Sequence, residues 1–264
     1  MTSTDDTPVP QYRDLARLEG RGFVVVGAGQ GIGRQTSHAL AQAGAKLFLI
    51  DNHQELAKEI ADEVKGTPWA ADARDRGEVE AAIKEARKTL GRIHGLVDIV
   101  GMAKWGELLD VSDEDWDWTF AMVLRHAFLF GQAAGNAMIE DGGGVMTFVA
   151  SVSGITSAPK HAPYGAAKAG LMNWVRTLAV ELGPKGIRAN AVAPGGVLTP
   201  RVSQLLSDEM KEAAAKNVPM MRMAVPSDIA GAILFLSSDL ASFVNGVTLI
   251  VDGGVEAKFG YATP

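Results

Sequence analysis

The chain contains no cysteine. Disulfides, thiolate nucleophiles and cysteine-based metal sites are therefore excluded, although this absence does not by itself identify a compartment. Histidine is scarce as well: there are five, with no His-x-x-x-His pair, so no metal site is expected. No apolar run approaches the roughly 20 residues that cross a bilayer. The opening MTSTDDTPVPQYRD also lacks a basic stretch leading into an apolar core. The expectation is a cytoplasmic protein with no membrane partner. Basic clusters are missing too. With a net charge of −6 and a pI of about 5.4, the chain has no electrostatic footprint for nucleic acid.

What is present suits a packed core: 47% of the residues are hydrophobic and 21% charged, in 264 residues, a normal length for one α/β domain. Residues 1–17 are polar, contain Pro8 and Pro10, and show no apolar periodicity. They read as a flexible arm, leaving 18–264 as a single domain. Short continuous apolar runs then recur: GFVVVGA (22–28), KLFLID (46–51), GLVDIVG (95–101), VMTFVAS (145–151), IRANAVAPG (187–195) and VTLIVDGG (247–254). Such runs suit parallel strands buried on both faces. Helix-length segments separate them, near 31–44, 53–65, 75–90, 112–139, 164–183 and 226–238. This alternation predicts an α/β fold, one doubly wound (Rossmann-type) parallel sheet with helices on both faces. Residues 196–225 break the rhythm just after a strand end, where sheets of this kind bind ligands, and read as a substrate lid.

VVVGAGQGIGR sets Gly27, Gly29, Gly31 and Gly33 between a buried strand and a helix start. Glycines there let the backbone approach a pyrophosphate, whose charge the helix amides favour. The spacing is G-x-x-x-G-x-G from Gly27 rather than G-x-G-x-x-G, and a glycine loop alone is a weak signal. Asp51 ends the second run. A carboxylate there accepts hydrogen bonds from the adenosine ribose and repels a 2′-phosphate, which favours NAD over NADP. Asn52 and His53 follow it, with no arginine to receive that phosphate.

In ASVSGITSAPKHAPYGAAK, Tyr164 and Lys168 stand four apart and share one helix face. Ser151 ends the preceding strand, and Gly154, Pro159 and Pro163 mark a loop between them. A strand-end hydroxyl thus meets a helix-start phenol. The segment ASVSG lacks the leading glycine of G-x-S-x-G, which argues against a serine hydrolase.

Together these features resemble the classical short-chain dehydrogenase/reductase family over about residues 18–254. The glycine motif is matched by Gly27, Gly31, Ile32 and Gly33, with Gln30 in the same loop. Asp72, beside Ala73 in AADARD, stands where the family contacts adenine. NAVAPGGVLT supplies Pro194 and Gly195, with a Val197 backbone and a Thr199 hydroxyl that the resemblance assigns to the nicotinamide amide. SFVNGVTLIVDGG is similar to the last strand. The resemblance implies hydride transfer between NAD and a secondary alcohol or ketone, with Tyr164 exchanging a proton with the substrate oxygen. Lys168 is then expected to lower the phenol pKa from its free value near 10 and to hold the nicotinamide ribose, and Ser151 to bond the substrate oxygen. A homo-oligomer, a tetramer, is also implied, and GAAKAGLMNWVRTLAVEL carries small and apolar residues suited to a partner subunit.

Two departures stand out. The family's Asn-Asn-Ala-Gly is here Asp98-Ile99-Val100-Gly101, retaining only Gly101, and the asparagine of its proton relay is Val123. The relay water is then left to the Val123 carbonyl, with Arg125 or His126 as substitutes. The competing reading is a catalytically weak NAD(H)-binding regulatory protein of the same fold. Met102 and Trp105, with Leu205, Leu206, Met210, Met220, Met221 and Met223 in the lid segment, point to an apolar alicyclic or steroid-like substrate.

Overall fold

Seven parallel strands form the centre of the computed structural model, which describes residues 8–258. They are β1 (Gly22–Val26), β2 (Lys46–Asp51), β3 (Thr67–Ala70), β4 (Gly95–Asp98), β5 (Gly144–Val149), β6 (Ile187–Pro194) and β7 (Thr248–Val251), in the order 3-2-1-4-5-6-7. Successive side chains of a strand point to opposite faces, and the core divides accordingly. Val24, Val26, Phe48 and Ile50 belong to one apolar layer, Phe23, Val25, Leu47 and Leu49 to the other.

Helices α1 (Gly31–Gln42), α2 (Gln54–Val64) and α9 (Pro226–Ser237) cover the second layer through Leu40, Ile60 and Ile233. The first lies under α3 (Arg76–Leu90), α5 (His126–Glu140) and α6 (Ala162–Leu182), through Ile83, Phe130 and Val175. The doubly wound sheet expected from the alternating runs is therefore present. Its order reverses between β1 and β4, and at such a switch point the strand ends leave a crevice for ligand.

Three details differ from the sequence reading. The strand β3 has no apolar run: it is TPWA, an edge strand with two exposed residues and a proline, tolerated there because an edge needs fewer ladder hydrogen bonds. The segment read as one helix over 112–139 is α4 (Asp113–Phe120) and α5, joined by a π-helical turn, Ala121–Arg125. The helix carrying Tyr164 starts two residues earlier, at Ala162, with Pro163 in its first turn, where a missing N–H costs no intrahelical bond.

The excursion after β6 contains α7 (Pro200–Leu205) and α8 (Asp208–Asn217), neither with a buried residue. Its two ends are tied together: Leu198 N–H donates to Ala224 O at 2.8 Å, and Ala224 N–H to Gly196 O at 3.1 Å. The arm expected at 1–17 lies partly outside the described residues. Of the remainder, Asp14–Ala16 makes one 3-10 turn, and Leu18, just after the arm, is fully buried.

Candidate active site

The glycine loop leaves β1 by a turn that only glycine adopts without strain, Gly27 at φ 78° and Gly31 at φ 56°. Gly27 and Ala28 N–H both donate to Ile50 O, pinning the loop to β2. A Cβ on Gly33 would overlap the Gly27 carbonyl oxygen, so that glycine sets how closely α1 approaches the strand. Gly29 N–H donates to Asp51 Oδ2 at 2.9 Å and His53 N–H to Asp51 Oδ1 at 3.0 Å. The carboxylate is fixed by backbone on both oxygens.

Beside it lies a cavity of about 330 Å³ at the switch point. Gly27, Gln30, Gly31, Ile32 and Asp51 line one wall, and Asp72, Ala73 and Gly101 the other. Thr199 closes one end, its Cγ2 3.3 Å from where a Gly31 Cβ would stand. The cradle fits an extended anionic dinucleotide: bare backbone at a helix N-terminus and a carboxylate one strand away. Gly33, Pro194, Gly195 and Val197 do not face this cavity. Gly195 N–H bonds Val251 O at 3.1 Å, and Val197 is buried where it pairs with Ala224.

Sequence reasoning missed two arginines here. Arg74 and Arg201 also line the cavity, but neither belongs to the strand end at Asp51, where the sequence reading looks for one. Arg74 is bound to Asp72, Nη2 to Oδ2 at 2.6 Å, which holds the Asp72 carboxyl below its usual range. The pair is not wholly free to meet a ligand.

Ser151 leaves β5 in extended backbone and caps the 3-10 turn Val152–Gly154, its Oγ accepting from Ser153 N–H at 3.1 Å. Tyr164 and Lys168, one turn apart on α6, face it. Lys168 Nζ is 5.6 Å from the centre of the Tyr164 ring and donates to Val149 O at 2.6 Å. A Cβ on Gly101 would come within 2.8 Å of that ammonium, so the glycine makes room for it. The structure thus brings Ser151, Tyr164, Lys168 and Gly101 together beside the cavity.

The electrostatics differ from the expectation. Burial pushes the Tyr164 phenol above its ordinary value, hydrogen bonding with Ser151 working the other way, and Lys168 does not bring it down. Burial of Lys168, only 1% exposed, lowers the ammonium to about 8, against which the Asp98 carboxylate holds it up. The ammonium stands over the ring, 5.6 Å from its centre, and burial is the larger influence on the phenol.

Val123 is fully buried in the π-helical turn. Arg125 is exposed, its Nε donating to Arg74 O at 3.3 Å. His126 is buried and bonds Asp98, Nδ1 to Oδ2 at 2.8 Å. Asp98 Oδ1 in turn accepts from Val100 N–H at 3.2 Å. The substitution of Asp98 for the family's asparagine is thereby matched by a histidine, a pairing that spacing alone did not reveal.

Residues 27–256 match the family model described as Enoyl-(Acyl carrier protein) reductase. The chain belongs to the short-chain dehydrogenase/reductase family. Among relatives in that family, it is 35% identical to D-threitol dehydrogenase of Mycolicibacterium smegmatis over 92% of this chain and 95% of the relative. It is 34% identical to 3-oxoacyl-[acyl-carrier-protein] reductase FabG of Thermotoga maritima, over 90% and 99%. Among solved short-chain dehydrogenases, 7α-hydroxysteroid dehydrogenase complexed with NADH and 7-oxo glycochenodeoxycholic acid superposes with a TM-score of 0.87 at 31% identity, over 92% of this chain and 96% of that one. These family members support oxidoreduction of alcohols and ketones with a nicotinamide cofactor. No described helix is long and apolar enough to cross a membrane, and no group of three or more His, Asp or Glu among the described residues is placed to hold a metal.

Proposed function

We propose that the protein is an NAD(H)-dependent oxidoreductase that interconverts a secondary alcohol and a ketone, with Tyr164 as the acid/base group. The observation that carries this reading is the meeting of Ser151, Tyr164 and Lys168 beside a glycine-lined crevice. A bound nicotinamide supplies the hydride acceptor or donor. The chain's own residues do the rest: Ser151 orients the substrate oxygen, Tyr164 Oη passes a proton to or from it, and Lys168 holds the ribose and the positive charge behind the phenol.

Preference for NAD follows from Asp51, whose charge is locked in place by two backbone N–H groups and opposes a 2′-phosphate. Arg74 does little against this, because Asp72 already neutralises it. An apolar alicyclic substrate is supported by the lid residues Leu205, Met210 and Met221, all exposed, and by Trp105. Met223 gives no such support, since it is buried against Gly196. Assembly into a tetramer is supported by the outward face of α6, where Ala166, Ala169 and Val180 stand exposed; a monomeric mass by light scattering at micromolar concentration opposes it.

The test is a panel of bulky alicyclic alcohols and small charged hydroxy acids with NAD or NADP, followed at the nicotinamide absorbance. Turnover is expected with NAD on the alicyclic alcohols, and Asp51→Ala narrows the gap between the two cofactors. Faster reaction with NADP refutes the cofactor reading. Tight NADH binding with no turnover on any substrate favours the cofactor-holding regulatory protein instead.

A further inference from the structure

One buried ionisable pair has no part in the mechanism above. Asp98 ends β4 and His126 opens α5, and both are 1% exposed. They are joined by the 2.8 Å bond from Nδ1 to Oδ2. The His126 Nε2 is buried with no hydrogen-bond partner. With Nδ1–H donating to the carboxylate, the neutral tautomer leaves Nε2 as a bare acceptor and the charge of the pair on Asp98. The pair therefore carries the negative charge of Asp98.

That charge stands close to Lys168. In register, Asp98 is paired with Phe148 of β5, the residue before Val149, whose carbonyl oxygen receives the ammonium. Three residues beyond Asp98, Gly101 makes the room that the ammonium fills. The groups facing Lys168 from each packed element can be named. They are Tyr164 on its own helix, the Val149 carbonyl from β5 and, from β4, Asp98 with His126 of α5 behind it. Of these, Asp98 is the one fixed anion.

We infer that Asp98, held by His126, is the buried counter-charge that keeps Lys168 an ammonium at neutral pH. Asp98 and His126 are positioning residues: neither is placed on substrate, and they act through the lysine. An asparagine, the family's residue at this place, would hold the strand end but supply no charge. The inference rests on the reading of Lys168 as the cation behind Tyr164, and it gives that cation a source of stability that an asparagine would not supply.

The test is to follow the 13Cε resonance of Lys168 against pH in the cofactor-free protein labelled with 13C-lysine, the signal being assigned by its loss in Lys168→Met. In the wild type the lysine should stay charged through pH 7. Asp98→Asn should lower its midpoint by about one pH unit or more. His126→Gln, which keeps a donor and no charge, should move it by less than about half a unit. An unchanged midpoint in Asp98→Asn overturns the inference. So does a wild-type midpoint below 7, or a rise of a full unit in His126→Gln, which would show that His126 had been cancelling the carboxylate. If Asp98→Asn does not fold, the double variant Asp98→Asn/His126→Gln, an amide pair of similar shape, is read in its place, and the wild-type midpoint decides if that also fails. The titration uses no substrate, so an active Tyr164→Phe enzyme would sink the proposed mechanism and leave this result standing.

Discussion

The two ends of the crevice are built by different means. At the end proposed for the adenosine, backbone does the positioning: Gly27 and Ala28 are pinned to Ile50, and Asp51 is held by two N–H groups. At the end proposed for the substrate, side chains do it. Lys168 hangs from one carbonyl, Ser151 from one amide, and the excursion after β6 buries nothing in α7 or α8. The lesson is that a ligand part common to many enzymes can be met by backbone geometry, while the part that varies is met by side chains at the ends of core elements, here the end of β5 and the first turns of α6.

The substrate end should therefore lose function without losing structure. Tyr164→Phe removes one oxygen whose partner is the Ser151 side chain and no backbone group, and is expected to cost about 10²–10⁴-fold in kcat while NADH binding and thermal stability stay close to wild type. An active Phe variant would erase the distinction between the two ends.

Lys168 sharpens the comparison, because an ammonium held in the core carries a stability cost. A fall from 10.5 to about 8 corresponds to roughly 3 kcal/mol against the buried ammonium. Lys168→Met should thus be inactive yet more stable than wild type at pH 7 by urea denaturation. The sign with pH is definite. Below pH 8 the lysine is charged in both states and the penalty is full. Between about 8 and 10.5 the unfolded chain binds the proton more tightly, so wild-type stability rises with pH through that window and the advantage of Met shrinks. Equal stability of the two proteins at pH 7 would refute this.

At the adenosine end, structure and function should fail together. Gly33→Ala drives a methyl into the Gly27 carbonyl, and the backbone can yield only by shifting α1 off the strand. The expected loss is about 1–3 kcal/mol of stability, with NADH binding weakened in the same variant. A stable Gly33→Ala protein that binds NADH normally would show that the close helix approach is dispensable.

How much of this was legible in the sequence follows the same division. Buried parallel strands are apolar runs whatever their neighbours, so six of the seven could be read directly. The edge strand β3 could not, because an edge lacks that signal and tolerates Pro68. Glycines of the loop announce themselves, since no other residue adopts φ 78° as cheaply as Gly27. That Tyr164 and Lys168 share a helix face opposite Ser151 was legible from spacing, but the state of Lys168 was not, for it depends on tertiary burial and then on Asp98, 70 residues away in sequence. The Asp98–His126 pair and Arg74 at the cavity are likewise tertiary facts: each joins residues from separate elements or from the far wall of the crevice, which no local pattern records.

The smallest expected effect concerns Val123, where the substrate end departs from its family. If the asparagine were needed to hold a relay water, Val123→Asn would restore it, and a limiting proton step could gain about 10²-fold or more. The structure argues for a modest change. Val123 sits fully buried in a π-helical turn, where the bonding pattern shifts from i+4 to i+5, and we expect a backbone carbonyl of that turn to be open to a water. That carbonyl can hold the water with no side chain involved, and an amide inserted among apolar neighbours must find partners of its own or cost stability. We therefore expect Val123→Asn to change kcat less than about tenfold in either direction, with a small loss of stability by urea denaturation. A gain of tenfold or more would show that the wild-type relay is impaired, and would leave the crevice with a strong cofactor end and a weakened chemical one.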